Sequence, residues 1–174
     1  LEDEVVGEQA KVLYQDAQTM LHQMIEEQWM TAKARFGLFP VNAVGDDIEI
    51  YSDENRSKTL GQWITLRQQL KKTKAQPNIA LADFIAPKAL GKIDYMGAFC
   101  VTTGFGTEEK AKAFEEANDD YSSIMVKALS DRFAEAFAEY LHHQIRTEYW
   151  AYVSEEGLSN EELIQEKYQG IRPA

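Results

Sequence analysis

Residues 36–51 read FGLFPVNAVGDDIEIY, and this stretch decides the fold class. Residues 36–44 are followed by Gly45-Asp-Asp47, which is a turn signal between two strand-like runs. Residues 48–51 alternate apolar and polar side chains, as a half-buried strand does. The stretch therefore predicts a β-hairpin.

The rest of the middle of the chain also favours strands. Residues 79–85 and 95–103 are predicted as two strands, because they are β-rich and are separated by Pro87 and Gly91. Residues 59–66 fit a strand or the start of a helix, and residues 71–78 are polar and predict a loop.

Helical spacing dominates both ends. Apolar residues recur at threes and fours over residues 5–31 and, in the longest such run, over residues 120–150. Residues 107–118 predict another helix. Ser159-Asn-Glu-Glu162 is a capping box that opens one more helix, which Gly170 closes. The order predicts an α+β fold, with a central, largely antiparallel sheet and long helices packed on it.

The composition indicates one globular domain over residues 1–174. The net charge of −11 argues against nucleic acid or an anionic membrane as partner, and no apolar run is long enough to span a bilayer. The single cysteine, Cys100, lies among apolar residues and is predicted to be buried. A reducing, cytoplasmic location fits this composition.

One stripe of the longest helix carries titratable side chains. Lys127 and Asp131 are spaced for an ion pair, and Asp131 and Glu135 are like charges at i,i+4, which is mildly unfavourable. Such a stripe is either a solvated face or a carboxylate pair kept for a cationic ligand or an imidazole. His142 falls on the same stripe.

Other patterns are weaker. Glu139-Tyr-Leu-His142 occurs once, whereas di-metal helix bundles need two copies of such a motif, so no metal site is predicted. His142 and His143 are interpreted as a polar rim, and His22 as lying at the edge of the core. Gly104-Phe-Gly106 lacks the rest of a phosphate loop, and no catalytic residues are assigned. Three aromatic residues near the end of the long helix are open to packing or to stacking on a ring: Tyr149, Trp150 and Tyr152.

Several long segments together resemble the C-terminal activation domain of cobalamin-dependent methionine synthase. They are Leu1-Glu-Asp-Glu-Val-Val-Gly7, Gly37-Leu-Phe-Pro40, Val44-Gly-Asp-Asp-Ile-Glu-Ile-Tyr51, Leu81-Ala-Asp-Phe84, Ala86-Pro-Lys88, Asp94-Tyr95, Gly97-Ala-Phe99, Asp119-Asp-Tyr121, Ile124-Met-Val-Lys-Ala-Leu129, Asp131-Arg132, Ala134-Glu-Ala-Phe-Ala-Glu-Tyr-Leu-His142, Leu158-Ser-Asn-Glu-Glu-Leu-Ile164 and Tyr168-Gln-Gly-Ile-Arg-Pro-Ala174.

The resemblance implies a repair function inside an enzyme, 5-methyltetrahydrofolate–homocysteine S-methyltransferase. An activation domain of this kind binds S-adenosylmethionine and supports reductive methylation of cob(II)alamin to methylcobalamin. The implied partners are the cobalamin-binding domain of the same polypeptide, which holds the cobalamin, and flavodoxin or an equivalent flavoprotein reductase. Zinc is implied only on a distant homocysteine domain. The fragment itself is not expected to be catalytic.

The resemblance also assigns site residues. Arg172 is expected to pair with the carboxylate of S-adenosylmethionine, Glu135 to receive its ammonium or a hydroxyl, and Ala174 to offer backbone groups. Asp131 is the position expected to meet the displaced cobalt-ligand histidine of the cobalamin domain. A second acid at that contact aligns near Thr107, where Glu108 is only a neighbour.

The chain ends inside the ligand motif, and the family domain is roughly twice as long. Residues 1–174 are therefore expected to be a partial activation domain, truncated at both ends. The alternative from the residues alone is a stand-alone regulatory or protein-interaction module that uses the acidic helix face.

Overall fold

The computed structural model describes residues 7–73, 76–153 and 155–170. Four strands form one sheet in the order β3-β2-β1-β4. Five α or π segments and two short 3-10 turns complete the described part. The elements are α1 (Gly7–Glu26), β1 (Thr31–Val44), β2 (Asp47–Tyr51), β3 (Thr59–Trp63), 3-10 turns at Leu81–Phe84 and Lys88–Leu90, β4 (Asp94–Phe105), α2 (Thr107–Glu116), α3 (Asp120–Gln144), a π turn at Ile145–Tyr149 and α4 (Asn160–Ile164).

The predicted hairpin is confirmed. β1 and β2 pair antiparallel, with Val41 opposite Ile50 and Val44 opposite Asp47. Gly45 has a φ of 64°, which suits glycine in so tight a turn. β3 pairs antiparallel with β2, so the stretch left open at residues 59–66 begins as a strand. These pairings confirm the α+β class with a largely antiparallel sheet.

The chain divides into two compact units, each with its own core. One comprises Leu1–Ala34 and Cys100–Ala174, and the other comprises Arg35–Phe99. In the second unit the buried residues come from β1, β2 and the first 3-10 turn: Val41, Ala43, Ile48 and Ala82. In the first unit they come from α1, α2 and α3: Met20, Met24, Ala111, Met125 and Val126.

Two features fix α3 within the first unit. The Asp119 carboxylate caps its start by accepting the backbone N–H of Ser122 at 3.0 Å. Further along, the buried hydroxyl of Thr103 donates to the Ser130 carbonyl at 2.7 Å, and the Thr107 and Ser130 hydroxyls lie 2.9 Å apart. Thr107 is therefore buried and bonded, and its side chain is not available to an interdomain contact.

The predicted strand at residues 79–85 is wrong. Leu81–Phe84 is a 3-10 turn, in which the Asp83 carboxylate accepts the Ala80 N–H at 3.0 Å. The Arg67 guanidinium binds both oxygens of the same carboxylate at 2.7 and 2.8 Å and lowers the pKa of Asp83 to about 2. An ion pair across sixteen positions thus overrides the local strand preference.

Other boundaries also differ from the expectations. The long helix is α-helical only to Gln144, and the capping box at Ser159 is confirmed, although its helix ends at Ile164 rather than near Gly170. Cys100 lies on β4 and is exposed, so the prediction that it is buried is wrong. It alternates with its neighbours along a strand, and an apolar surrounding sequence does not decide which face a strand residue takes.

In the part of the chain that the structure describes, no helix is both long enough and apolar enough to cross a bilayer.

Candidate functional site

The predicted acidic positions lie one helical turn apart on α3. Asp131 and Glu135 are both exposed. The Glu135 carboxylate binds the Arg132 guanidinium at 2.8 Å, and both side chains are about two-thirds exposed, at 66% and 69%. An ion pair this exposed contributes about 0–1 kcal/mol, so a competing cation can take the carboxylate at little cost.

The predicted pair between Lys127 and Asp131 does not form. The Lys127 ammonium instead binds the Glu115 carboxylate of α2 at 3.0 Å, and this contact raises the pKa of Lys127. Asp131 is consequently left on the solvent side of α3. The two acids therefore lie on a solvated face that is open to a ligand or partner. This geometry agrees with both interpretations of the stripe, as a solvated face and as a carboxylate pair for a cationic ligand or an imidazole.

The other two predicted ligand residues, Arg172 and Ala174, lie outside the described residues. Of the four predicted residues, the structure places Asp131 and Glu135 on one face of α3.

An apolar groove of about 360 Å³ lies next to the acids, within the first unit. Its walls come from α1 and α3, and Arg132, which pairs with Glu135, forms part of its lining. The other lining residues are Leu13, Ala17, Tyr121, Ile124, Met125, Ala128 and Leu129.

A buried ionic cluster follows α3 directly, and the sequence analysis missed it. Arg146 is fully buried, and its guanidinium makes a two-pronged contact with the Glu156 carboxylate, with Nε to Oε2 at 2.9 Å and Nη2 to Oε1 as the second bond. Only 1% and 4% of the two side chains are exposed. Pairing lowers the pKa of Glu156, and although burial opposes the charge of Arg146, Glu156 outweighs it and raises the pKa of Arg146.

Two aromatic rings close this cluster. The Tyr168 ring lies 4.4 Å from the Arg146 guanidinium carbon and meets the His142 ring edge to face at 5.2 Å. The Arg146 Nη1 donates to His142 Nδ1 at 2.6 Å. We call His142, Arg146, Glu156 and Tyr168 the Arg146 cluster.

His142 is thus not part of an exposed rim, and that interpretation is wrong. Its side chain is 7% exposed. Burial, and then the charge of Arg146, lower the pKa of His142 to about 4. Arginine only donates hydrogen bonds, so Nδ1 must be an acceptor and the ring must be neutral with its proton on Nε2. The i,i+4 spacing of His142 and Arg146 in the sequence indicates that the two side chains can meet on a helix. No sequence pattern near them points to Glu156 or Tyr168.

The described residues contain no group of three or more His, Cys, Asp or Glu side chains that could hold a metal ion. The aromatic residues near the helix end are partly packed, with the Trp150 and Tyr152 rings edge to face at 5.7 Å. His22 is exposed, so the prediction that it lies at the edge of the core is wrong. Its Nδ1 lies 2.7 Å from the Gln18 carbonyl oxygen.

A comparison with known protein families shows to which family the chain belongs. All of residues 1–174 match the family described as "Vitamin B12 dependent methionine synthase, activation domain". The chain belongs to this family. The activation-domain assignment confirms the resemblance drawn from the motifs.

A solved activation-domain structure supports the assignment in three dimensions. It is described as the crystal structure of the MetH reactivation domain bound to AdoHcy, and it is 56% identical to this chain with a TM-score of 0.92. The match covers 100% of this chain and 53% of that one, so the chain spans about half the length of its solved relative. AdoHcy, the ligand of that relative, is the demethylated form of S-adenosylmethionine.

Proposed function

We propose that this chain is the S-adenosylmethionine-binding reactivation module of a cobalamin-dependent methionine synthase. The single observation that carries the proposal is the match of the whole chain, at 56% identity, to a reactivation domain that binds AdoHcy. The cobalamin is held by a neighbouring domain of the same polypeptide, and the electron comes from flavodoxin or an equivalent flavoprotein.

The proposed partners would supply the electron and the cobalamin, and S-adenosylmethionine would supply the methyl group. The flavoprotein would supply one electron to cob(II)alamin on the neighbouring domain, and S-adenosylmethionine would supply the methyl group and leave as AdoHcy. The chain's own residues bind and orient the methyl donor.

The charges of the ligand explain which side chains it requires. S-adenosylmethionine carries a cationic ammonium, a cationic sulfonium and an anionic carboxylate, so its site needs both signs of charge. Glu135 is exposed and weakly paired, and it is therefore available to the ammonium or to a hydroxyl. Arg172 is the proposed partner of the ligand carboxylate, and Ala174 offers backbone groups to the same ligand.

Asp131 has a different proposed role. It lies one turn from Glu135, is exposed, and has lost its expected partner Lys127 to Glu115. A carboxylate in this position can accept a hydrogen bond from the imidazole that leaves cobalt when the cobalamin domain docks. This role accounts for two like charges at i,i+4, an arrangement that is mildly unfavourable on a helix surface.

Calorimetric titration of the full-length protein with AdoHcy and S-adenosylmethionine tests the ligand site. Arg172→Ala and Glu135→Gln should each weaken binding about 10- to 100-fold, since each removes a charge-assisted hydrogen bond. Glu139→Gln is the matched control, an exposed acid on the next turn of α3, and should change the affinity less than about twofold. Unchanged affinity in both site variants would refute the assignment.

Asp131→Asn should leave the ligand affinity unaltered but weaken the interdomain contact. The measurement is the visible spectrum of cob(II)alamin in the full-length protein on addition of ligand, which reports whether the histidine has left cobalt. A spectral change as large as that of the unmodified protein would count against the proposed role of Asp131.

A further inference from the structure

The two compact units of the chain differ in charge. Residues 35–99 hold nine Lys and Arg against seven Asp and Glu, and the rest of the chain holds nine against twenty-two. The net charge of −11 therefore comes from the unit that contains α3, whereas the second unit is weakly positive. Within the second unit, residues 55–73 contain five Lys and Arg and no Asp or Glu. We call residues 55–73 the basic segment.

The basic segment also exposes large apolar side chains. It contains β3, which is the last strand in the order of the sheet, and all five residues of β3 are exposed. Exposure continues after the strand, from 48% at Trp63 to 82% at Leu66. Single exposed apolar residues are ordinary, but a run of them on one segment marks an interaction site. The exposed apolar residues of the run are Leu60, Trp63, Ile64, Leu66 and Leu70.

Ion pairs hold the basic segment against the turn of the hairpin. The Arg67 guanidinium binds Asp46 Oδ1 at 2.6 and 3.1 Å and both oxygens of Asp83 at 2.7 and 2.8 Å. The Thr65 N–H donates to the Asp47 carboxylate at 3.1 Å. The exposed apolar side chains beside these anchors are thus presented on a fixed backbone. A partner that binds a fixed surface loses less free energy to ordering it.

Lysines accompany the apolar side chains. Lys58 and Lys71 are exposed, and no carboxylate of a described residue lies within ion-pair distance of either ammonium. The Lys72 ammonium donates to two neutral oxygens, Gln68 Oε1 at 2.5 Å and the Pro77 carbonyl at 3.1 Å, so its charge is also not neutralised. Apolar contacts with charged groups beside them are the composition of a protein–protein interface, and these cations require an acidic partner.

We propose that the basic segment is the docking surface of the electron-donating flavoprotein, which meets it with an acidic face. The inference rests on the proposed function. The electron donor is a separate protein that must find this domain by diffusion, and complementary charge raises the rate of such encounters. The unit that contains α3 would repel an acidic partner, and its exposed acids are already proposed to meet the ligand and the cobalamin domain.

Calorimetric titration of the full-length protein with flavodoxin, at low ionic strength, tests this surface. Lys58→Glu combined with Lys71→Glu should weaken binding about 10-fold or more, because the reversal of two charges turns attraction into repulsion. Lys11→Glu combined with Lys112→Glu is the matched control. It makes the same change in net charge at exposed lysines of α1 and α2, and the affinity should stay within about twofold.

A third variant tests the apolar part of the surface. Leu66→Ser should weaken flavodoxin binding about 5- to 10-fold, because an exposed leucine that is buried by the partner loses its apolar contact. Added salt should weaken the binding of the unmodified protein more than that of Lys58→Glu with Lys71→Glu, since fewer attractive charges remain to be screened. All variants are compared at a temperature where circular dichroism shows them folded.

The outcomes separate this inference from the proposed function. Flavodoxin affinity that is unchanged in both the lysine variant and Leu66→Ser overturns the docking surface, while AdoHcy binding still stands. Two results would assign the segment to another occupant and overturn the inference: a lowered thermal midpoint of Leu66→Ser with unchanged flavodoxin affinity, which indicates another part of the polypeptide, or a dimer of the unmodified protein that Leu66→Ser dissociates in analytical ultracentrifugation. Absence of AdoHcy binding by the unmodified protein overturns the proposed function itself.

Discussion

Acidification should destabilise the unit that contains α3, chiefly through His142. The perturbation is a change from pH 7 to pH 4. The ring is buried, accepts a hydrogen bond from Arg146 at 2.6 Å and is neutral in the folded protein. The charge of the nearby Glu156 carboxylate favours the protonated ring but does not outweigh burial and Arg146, and the pKa of His142 still falls to about 4.

The magnitude follows from the difference between folded and unfolded states. An unfolded chain binds a proton at this ring below about pH 6.5, whereas the folded ring does so only near pH 4. Stability contributed by the neutral ring is therefore complete above pH 6.5 and is lost as the pH falls toward 4. At about 1.4 kcal/mol per pH unit, the loss is roughly 3 kcal/mol. Glu156, whose pKa is lowered by Arg146, adds a loss of the same sign at still lower pH.

Urea unfolding, followed by circular dichroism at a series of pH values, measures this loss. His142→Gln keeps a side-chain oxygen that can accept from Arg146 but does not titrate. Between pH 7 and pH 4, the free energy of unfolding of the His142→Gln variant should therefore fall by roughly 3 kcal/mol less than that of the unmodified protein. His22→Gln, on α1, should keep the full pH dependence. Equal pH slopes for His142→Gln and the unmodified protein would refute the reasoning.

Two further predictions concern the frame of α2 and α3. Gly106→Ala should lower the free energy of unfolding, measured in urea, by about 2–3 kcal/mol, because Gly106 has a φ of +99° and an added methyl group would press into the Trp29 carbonyl oxygen. Gly104→Ala is the control. Its added methyl group makes only an ordinary contact, and the variant should lose about 1 kcal/mol or less. Asp119→Ala removes the acceptor for the Ser122 N–H and should lower the thermal midpoint by an amount equivalent to about 1 kcal/mol, and an unchanged midpoint would show that the cap contributes nothing.

The parts of the fold that were predictable are those encoded by neighbouring residues. The hairpin follows from alternation on either side of a glycine-containing turn, and α4 begins at Ser159 because its capping box is complete within four residues. The exposed acids Asp131 and Glu135 also follow from helical spacing alone. The ligand roles of Glu135, Arg172 and Ala174 come from the family motifs and stay predictions.

The parts that were missed depend on partners distant in the sequence. Residues 81–84 turn rather than extend because Arg67 holds Asp83. Lys127 leaves Asp131 for Glu115, twelve positions away, since that carboxylate projects from the neighbouring helix. His142 is buried because Glu156 and Tyr168 return to Arg146. In each case a charged side chain binds a partner that is distant in the sequence, and the spacing along one element shows only the local partners.

The end of α3 explains how those distant partners reach Arg146. The last turn widens into a π turn, in which the Trp150 N–H donates to the Ile145 carbonyl at 2.9 Å, and Ala151 then takes a φ of +57°. A left-handed conformation costs an alanine about 1–2 kcal/mol. The reversal lets the Val153 N–H bond the Arg146 carbonyl at 3.1 Å and brings the Glu156 carboxylate back onto the guanidinium. If Glu156 did not reach Arg146, leaving that buried charge unpaired would cost about 3–5 kcal/mol of folding stability. The left-handed conformation of Ala151 costs less than this. The buried ion pair therefore determines the path of the chain toward residue 170.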